Sequence, residues 1–151
     1  MAIQCWAVKS PNYYLIDELH GKWNVKATMD KIREMRRRHR TAIGIYVEDK
    51  ANGPAILQIL GDEIPGLIEW SPGTASKLSR AEAVAPLFES GNVWLPPDDL
   101  APWVGEYITE LTRFPMSKND DRVDATSMAL LILHKPKHRR YRDAVRNMMG
   151  T

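Results

Sequence analysis

The stretch AIGIYVEDKANG, residues 42–53, runs apolar, turns acidic at Glu48-Asp49 and breaks at Asn52-Gly53. A continuous apolar run of this length reads as a strand over 42–48, of the kind buried on both faces of a sheet. Asn52-Gly53-Pro54 ends it, and Pro54 suits the first turn of a helix over 54–62. Strand, break and helix in that order are the unit of an α/β fold. The acids then stand at the carboxyl end of the strand, where open α/β sheets bind ligands. The plain alternative is that the strand surfaces there and ends on polar residues.

Working outward, AIQCWAV (2–8) and NYYLIDEL (12–19) are rich in aromatic and β-branched residues and are joined by Ser-Pro-Asn. They read as an antiparallel hairpin. Val25, Met29, Ile32 and Met35 recur at helical spacing over 25–39. Leu67–Trp70 reads as a short strand. A helix follows over 77–89, with Gly91 as its stop and Pro86 as a kink. Asn92–Leu95 is a short strand, and helices follow over 101–113 and 120–134. The order β-β-α-β-α-β-α-β-α-α predicts a mixed sheet, antiparallel at its start and parallel later, flanked by helices.

The chain has 151 residues, 44% hydrophobic and 26% charged, which suits one globular domain with a sizeable core. No run is apolar enough for a membrane span, and MAIQCWAVKSP lacks the plan of a signal peptide. A single cysteine, Cys5, excludes an internal disulfide framework and a cysteine zinc cluster, and a cytoplasmic setting fits. Net charge is only +2, but Arg33, Arg36, Arg37, Arg38 and Arg40 crowd one segment. Lys135, Lys137, Arg139, Arg140, Arg142 and Arg146 crowd the other end, as a basic tail over 136–151 that reads as helical from 137. Such clusters are phosphate-binding surfaces or solvated helix faces.

KNDDRVDATSMALLIL (118–133) poses the question of Glu48 again. Asp121 and Asp124 are three apart at the start of a helix that is apolar on nearly every side, so both project from one face. Capping by Asn119 or Asp120 and the helix dipole account for one or two acids. Asp124 lies beyond the cap. Three like charges in five residues repel unless a cation neutralises them, and hard divalent cations prefer carboxylate oxygens. The sharper reading is a metal site built from Glu48 with Asp121 and Asp124. Two-metal phosphoryl-transfer sites hold their ions about 3.5–4 Å apart. His20, His39, His134 and His138 are scattered and read as surface residues.

YYLIDELHGKW (13–23), YVEDKANGPAILQIL (46–60), IPGLIEWSP (64–72), SKLSRAEAVAPLFESGNVWLP (76–96) and NDDRVDATSMAL (119–130) occur in an order and spacing that resemble one family. It is the C-terminal nuclease domain of tailed-phage terminase large subunits, and the likeness spans roughly residues 3–133. The resemblance implies a ribonuclease H-like fold over 1–135 and endonucleolytic cleavage of concatemeric viral DNA with two Mg²⁺ or Mn²⁺ ions. It implies double-stranded DNA, a terminase ATPase domain, a small terminase subunit and a portal as partners, in the cytoplasm of a bacterial host. By that likeness Glu48 matches the second acidic ligand, Asp121 the final acid and Asp124 a further helix acid. A one-residue register leaves Asp120 as the alternative to Asp121. Lys77 and Arg80 match the basic pair between the acids, as phosphate contacts or as a helix salt bridge. Lys50 follows the strand acid and reaches a phosphate too, while Asn52-Gly53 shapes the turn.

Two family features are missing. There is no GxxxxGK[ST], hence no ATPase motif. The family's first strand, with its essential Asp, lies upstream of the 2–19 hairpin, and neither Asp17 nor Asp30 matches that acid. The resemblance thus implies a truncated or split product whose activity is in question. The alternatives are a non-catalytic DNA-binding remnant from a prophage, or another ribonuclease H-like enzyme such as a junction resolvase. Metal binding separates the first, and preference for branched DNA the second.

Overall fold

A computed structural model describes residues 1–134. The basic tail from 136, with its expected helix, lies outside the described residues. The elements run β1 (Ala2–Lys9), β2 (Asn12–His20), α1 (Val25–Arg38), β3 (Ile45–Glu48), α2 (Gly53–Leu60), β4 (Leu67–Trp70), α3 (Lys77–Glu89), β5 (Val93–Trp94), α4 (Val104–Arg113) and α5 (Asp121–His134). The order is the one predicted. The chain divides into two units: Met1–Cys5 with Glu18–Ala75, and Trp6–Asp17 with the chain from Ser76 onward.

In the first unit β3 and β4 pair in parallel, with Ile45 opposite Leu67 and Glu48 opposite Trp70. Ile32 of α1, Ile56 and Leu60 of α2, and Ile64 form its buried cluster, and Ile3, Ile45, Val47 and Leu67 pack against them. α1 starts where expected because Asn24 caps it: its Oδ1 accepts the Ala27 N–H at 2.9 Å. Arg36, Arg37 and Arg38 fill its last turn, the favourable end of the helix dipole. Pro54 sits in the first turn of α2, as its missing N–H predicts.

β3 is shorter than expected. Residues 42–44 are not strand, Ile43 is 77% exposed, and the Ala42 carbonyl accepts Arg36 Nη1 at 2.8 Å. Each of its four residues is half-buried rather than enclosed. Among the described residues its ladder is with β4 alone, and it covers one cluster on one face.

In the second unit Tyr13, Val84 and Leu130 are buried together, with Trp6, Val8, Leu87 and Val93 packed on them. β2 pairs with β5 in parallel, Tyr13 opposite Val93 and Tyr14 opposite Trp94. With the antiparallel β1–β2 hairpin this makes the mixed sheet β1-β2-β5. Ser76 caps α3 through the Ser79 N–H at 3.1 Å. Gly91, at φ +70°, ends α3, and the Asn92 N–H returns to the Leu87 carbonyl at 2.9 Å. Pro86 is accommodated inside the helix. α5 is buried along its length at Val123, Thr126, Ser127, Leu130 and Ile132, as its apolar sequence predicts.

Candidate functional site

Glu48 ends β3, and the chain reverses at once into α2. The Asp49 N–H bonds the Trp70 carbonyl at 3.0 Å, and the Gly53 N–H bonds the Lys50 carbonyl at 2.9 Å. Gly53 is required here: a Cβ at this position would stand 1.8 Å from the Glu48 carbonyl oxygen. Ala51 takes the left-handed conformation, φ +51°, that lets so short a turn close. The VEDKANG block is therefore a tight strand–turn–helix that fixes the strand acid against the first residue of α2. Asn52-Gly53 shapes the turn, as read from the sequence. Lys50 Nζ lies 3.7 Å from Glu48 Oε1, and the lysine is well exposed.

The other predicted residues gather in the second unit. Lys77 opens α3 and Arg80 stands one turn on. Lys77 Nζ lies 2.7 Å from Asp120 Oδ1 and 2.5 Å from Asp124 Oδ2. Arg80 Nη2 lies 3.0 Å from Asp124 Oδ1. The basic pair thus meets the acids across two helices: the salt bridge offered as the alternative to a phosphate contact is present, and it joins α3 to α5. Arg80 is buried, whereas Lys77 and Lys50 reach solvent. Burial works to lower the Lys77 pKa, but hydrogen bonds from Asp120 and Asp124 outweigh it and hold the ammonium above its ordinary range.

Asp121 is exposed at the first position of α5, and it is Asp120 that shares Lys77 with Asp124. The cations that relieve the acidic turn are Lys77 and Arg80 of the chain itself. Both Asp124 oxygens are thereby engaged. Among the described residues no three His, Cys, Asp or Glu side chains are grouped as a metal would need. Glu48 belongs to the first unit and the α5 acids to the second. As placed, the α5 acids do not fit a divalent ion, since Asp124 would have to give up Lys77 and Arg80 to bind one.

The basic segment of α1 is partly spent on internal pairs. Arg33 makes a fork to Glu63, at 2.6 and 2.7 Å, and bonds Asp30 at 2.9 Å. Arg38 and Lys31 both bond Glu34. Arg37 and Arg40 are exposed. His134 is exposed, as read, and its Nδ1 lies 2.7 Å from the Tyr13 hydroxyl.

Sequence reasoning missed one group altogether. Arg122, buried at 4% exposure, sends Nη1 toward Glu110 Oε2 at 3.4 Å and Nη2 toward Glu106 Oε2 at 3.2 Å. The Glu110 carboxylate, 6% exposed, also accepts the Arg122 backbone N–H at 2.7 Å. The one signal available was an arginine set in an apolar helix, which demands an acidic partner.

Among curated proteins and among solved structures, none matches the chain. The family described as the terminase RNaseH-like domain does, over residues 1–133, which takes in the hairpin, the VEDKANG turn, the Lys77–Arg80 pair and nearly all of α5. The chain belongs to that family of terminase RNaseH-like domains.

Proposed function

We propose that this chain is the DNA-cleaving module of a phage packaging terminase, which hydrolyses phosphodiester bonds in concatemeric viral DNA. The observation that carries the proposal is the family match across residues 1–133. Glu48, Asp121 and Asp124 are the proposed catalytic acids and metal ligands, with Asp120 as the register alternative. Mg²⁺ or Mn²⁺ is the ion that such oxygens select. Binding it requires Lys77 and Arg80 to yield Asp124. Lys50 and Lys77 are solvent-reaching cations suited to the DNA backbone. Arg80 joins them as a DNA contact only if it leaves Asp124. The partners of such a module are double-stranded DNA, a terminase ATPase domain, the small subunit and the portal, in a bacterial cytoplasm. No described helix is long and apolar enough to cross a membrane.

A second reading, a DNA-binding module without cleavage, is favoured by one observation: lysine and arginine already occupy both Asp124 oxygens. Nicking of supercoiled plasmid in Mn²⁺ decides between them, with Glu48→Gln and Asp121→Asn as the variants. Cleavage by the parent chain that is lost in both variants is the expected result. DNA retention without cleavage by the parent favours the second reading.

A further inference from the structure

Helix α5 begins in a run of polar residues, Lys118-Asn119-Asp120-Asp121, any of the last three of which is a good cap by type. A capping side chain ordinarily accepts the N–H of the second or third helical residue from two or three positions away, as Asn24 and Ser76 do. Here the second helical residue is Arg122, and its N–H is taken by Glu110, twelve positions back on α4. The Asp120 carboxylate is turned instead to Lys77. The cap has been delegated to another helix, and the acid next to the helix start is left to the charged cluster.

The delegated cap is also enclosed. Glu110 and Arg122 are about 95% buried, and they meet twice, backbone to carboxylate and guanidinium to carboxylate. On α4, Tyr107 stands one turn before Glu110, and its hydroxyl lies 3.0 Å from Thr126 Oγ1 on α5. The first two turns of α5 are thus fixed to α4 on one side, while Asp120 and Asp124 reach α3 on the other.

We infer that Glu110 is a positioning residue for the acid-bearing turn of α5, holding the Arg122 amide so that Asp120, Asp121 and Asp124 keep a fixed aim. This rests on the nuclease reading for its catalytic consequence, though not for the capping itself. Glu110 touches no reacting atom. It acts through the backbone of Arg122.

The test separates capping from simple stability. Glu110→Ala takes from a buried guanidinium its buried carboxylate, leaving the exposed Glu106, and risks global unfolding. The double variant Glu110→Met/Arg122→Met removes both charges together, a change that is often neutral for stability, yet deprives the amide of position 122 of its acceptor. Glu110→Gln keeps an acceptor oxygen there. Glu106→Ala removes only the exposed partner of Arg122. Amide hydrogen exchange is measured at positions 122–124 and at Leu130 and Ile132, together with the Mn²⁺ dependence of plasmid nicking.

The expected result for the double variant is exchange tenfold or more faster at 122–124 with little change at Leu130. Its Mn²⁺ midpoint for nicking rises several-fold, while the DNA concentration for half-maximal rate is unchanged. Glu110→Gln retains most of both properties, and Glu106→Ala leaves both alone. Exchange that rises evenly along α5 overturns the inference, as does a frayed turn with an unmoved Mn²⁺ midpoint. A parent chain that nicks no DNA at any Mn²⁺ concentration overturns the nuclease reading, and the exchange pattern then decides the capping role by itself.

Discussion

Arg80 Nη2 stands 3.0 Å from Asp124 Oδ1, and this bond ties α3 to α5 across 44 residues of chain. The arginine is buried at 5% exposure and the aspartate is about one quarter exposed. Removing the acid takes a carboxylate from a buried guanidinium, the costly half of a broken ion pair. Asp124→Ala is expected to lower the unfolding free energy by about 2–3 kcal/mol, somewhat below the cost of breaking a fully buried pair because Asp124 is partly solvated. Arg80→Met together with Asp124→Leu is expected to restore most of that loss. Urea unfolding of the parent and the two variants checks both statements.

Lys77 bridges Asp120 and Asp124 and so occupies the place a hard cation would take. Lys77→Met leaves those two carboxylates repelling each other, with Arg80 still beside Asp124. Added Mn²⁺ is therefore expected to raise the melting temperature of the Lys77→Met protein by several degrees more than that of the parent. Equal shifts in the two proteins would show that Lys77 and the ion do not compete.

The ionisation of the pairs sets a stability window in pH. A hydrogen bond from Arg33 lowers the Glu63 pKa, and one from Lys31 lowers that of Glu34. Their contribution is present above the unfolded carboxylate value of about 4.3 and is lost as pH falls through the lower folded values. Glu63 is exposed and Glu34 half-buried, both in reach of solvent, so this acid arm is shallow and weakens further in high salt. Lys77, raised by Asp120 and Asp124 against its burial, contributes fully below the unfolded lysine value of about 10.4 and is lost above it. Burial likewise pushes the Tyr46 phenol up, which adds to the alkaline loss. The melting temperature is expected to be level from about pH 5 to 10 and to fall on either side. Lys77→Met flattens the alkaline fall, and Glu63→Gln the acid one.

The turn after Glu48 offers opposite predictions at neighbouring positions. Gly53→Ala places a methyl group against the Glu48 carbonyl, where it cannot be accommodated without moving backbone. It is expected to destabilise by about 2–3 kcal/mol, the scale of a forced overpacking, and to abolish cleavage with Glu48 displaced. Ala51→Gly relieves a left-handed conformation and is expected to stabilise by about 0.5–1 kcal/mol despite the extra freedom of the unfolded chain. Thermal unfolding of both proteins, with plasmid nicking, tests the pair.

The succession of elements was legible because its signals are local. The stripe of α1, the all-round apolar face of α5, Pro54 at the start of α2 and Gly91 at the end of α3 each act within a few residues. β3 was overread because an apolar run does not reveal that the Ala42 carbonyl is taken by Arg36, with the ladder beginning only at Ile45.

At the candidate site, the need for a cation beside Asp124 was legible from charge alone, but not which cation. Lys77 and Arg80 lie more than forty positions away in sequence, and only the family likeness placed them between the acids. Glu110 and Arg122 left still less trace. An acid on one amphipathic helix and an arginine on the next are each ordinary surface residues until their shared burial is seen.

The hairpin gives each unit its odd composition: one takes residues 1–5 and 18–75, the other residues 6–17 and everything after 75. Neither unit is a contiguous segment of the gene. A fragment cut after Ala75 carries residues 6–17 away from the core containing Tyr13, Val84 and Leu130. The fragment that remains begins at α3 without that tyrosine. Cutting the chain between β4 and α3 therefore divides the second unit's core between two pieces, and neither piece carries the whole of it.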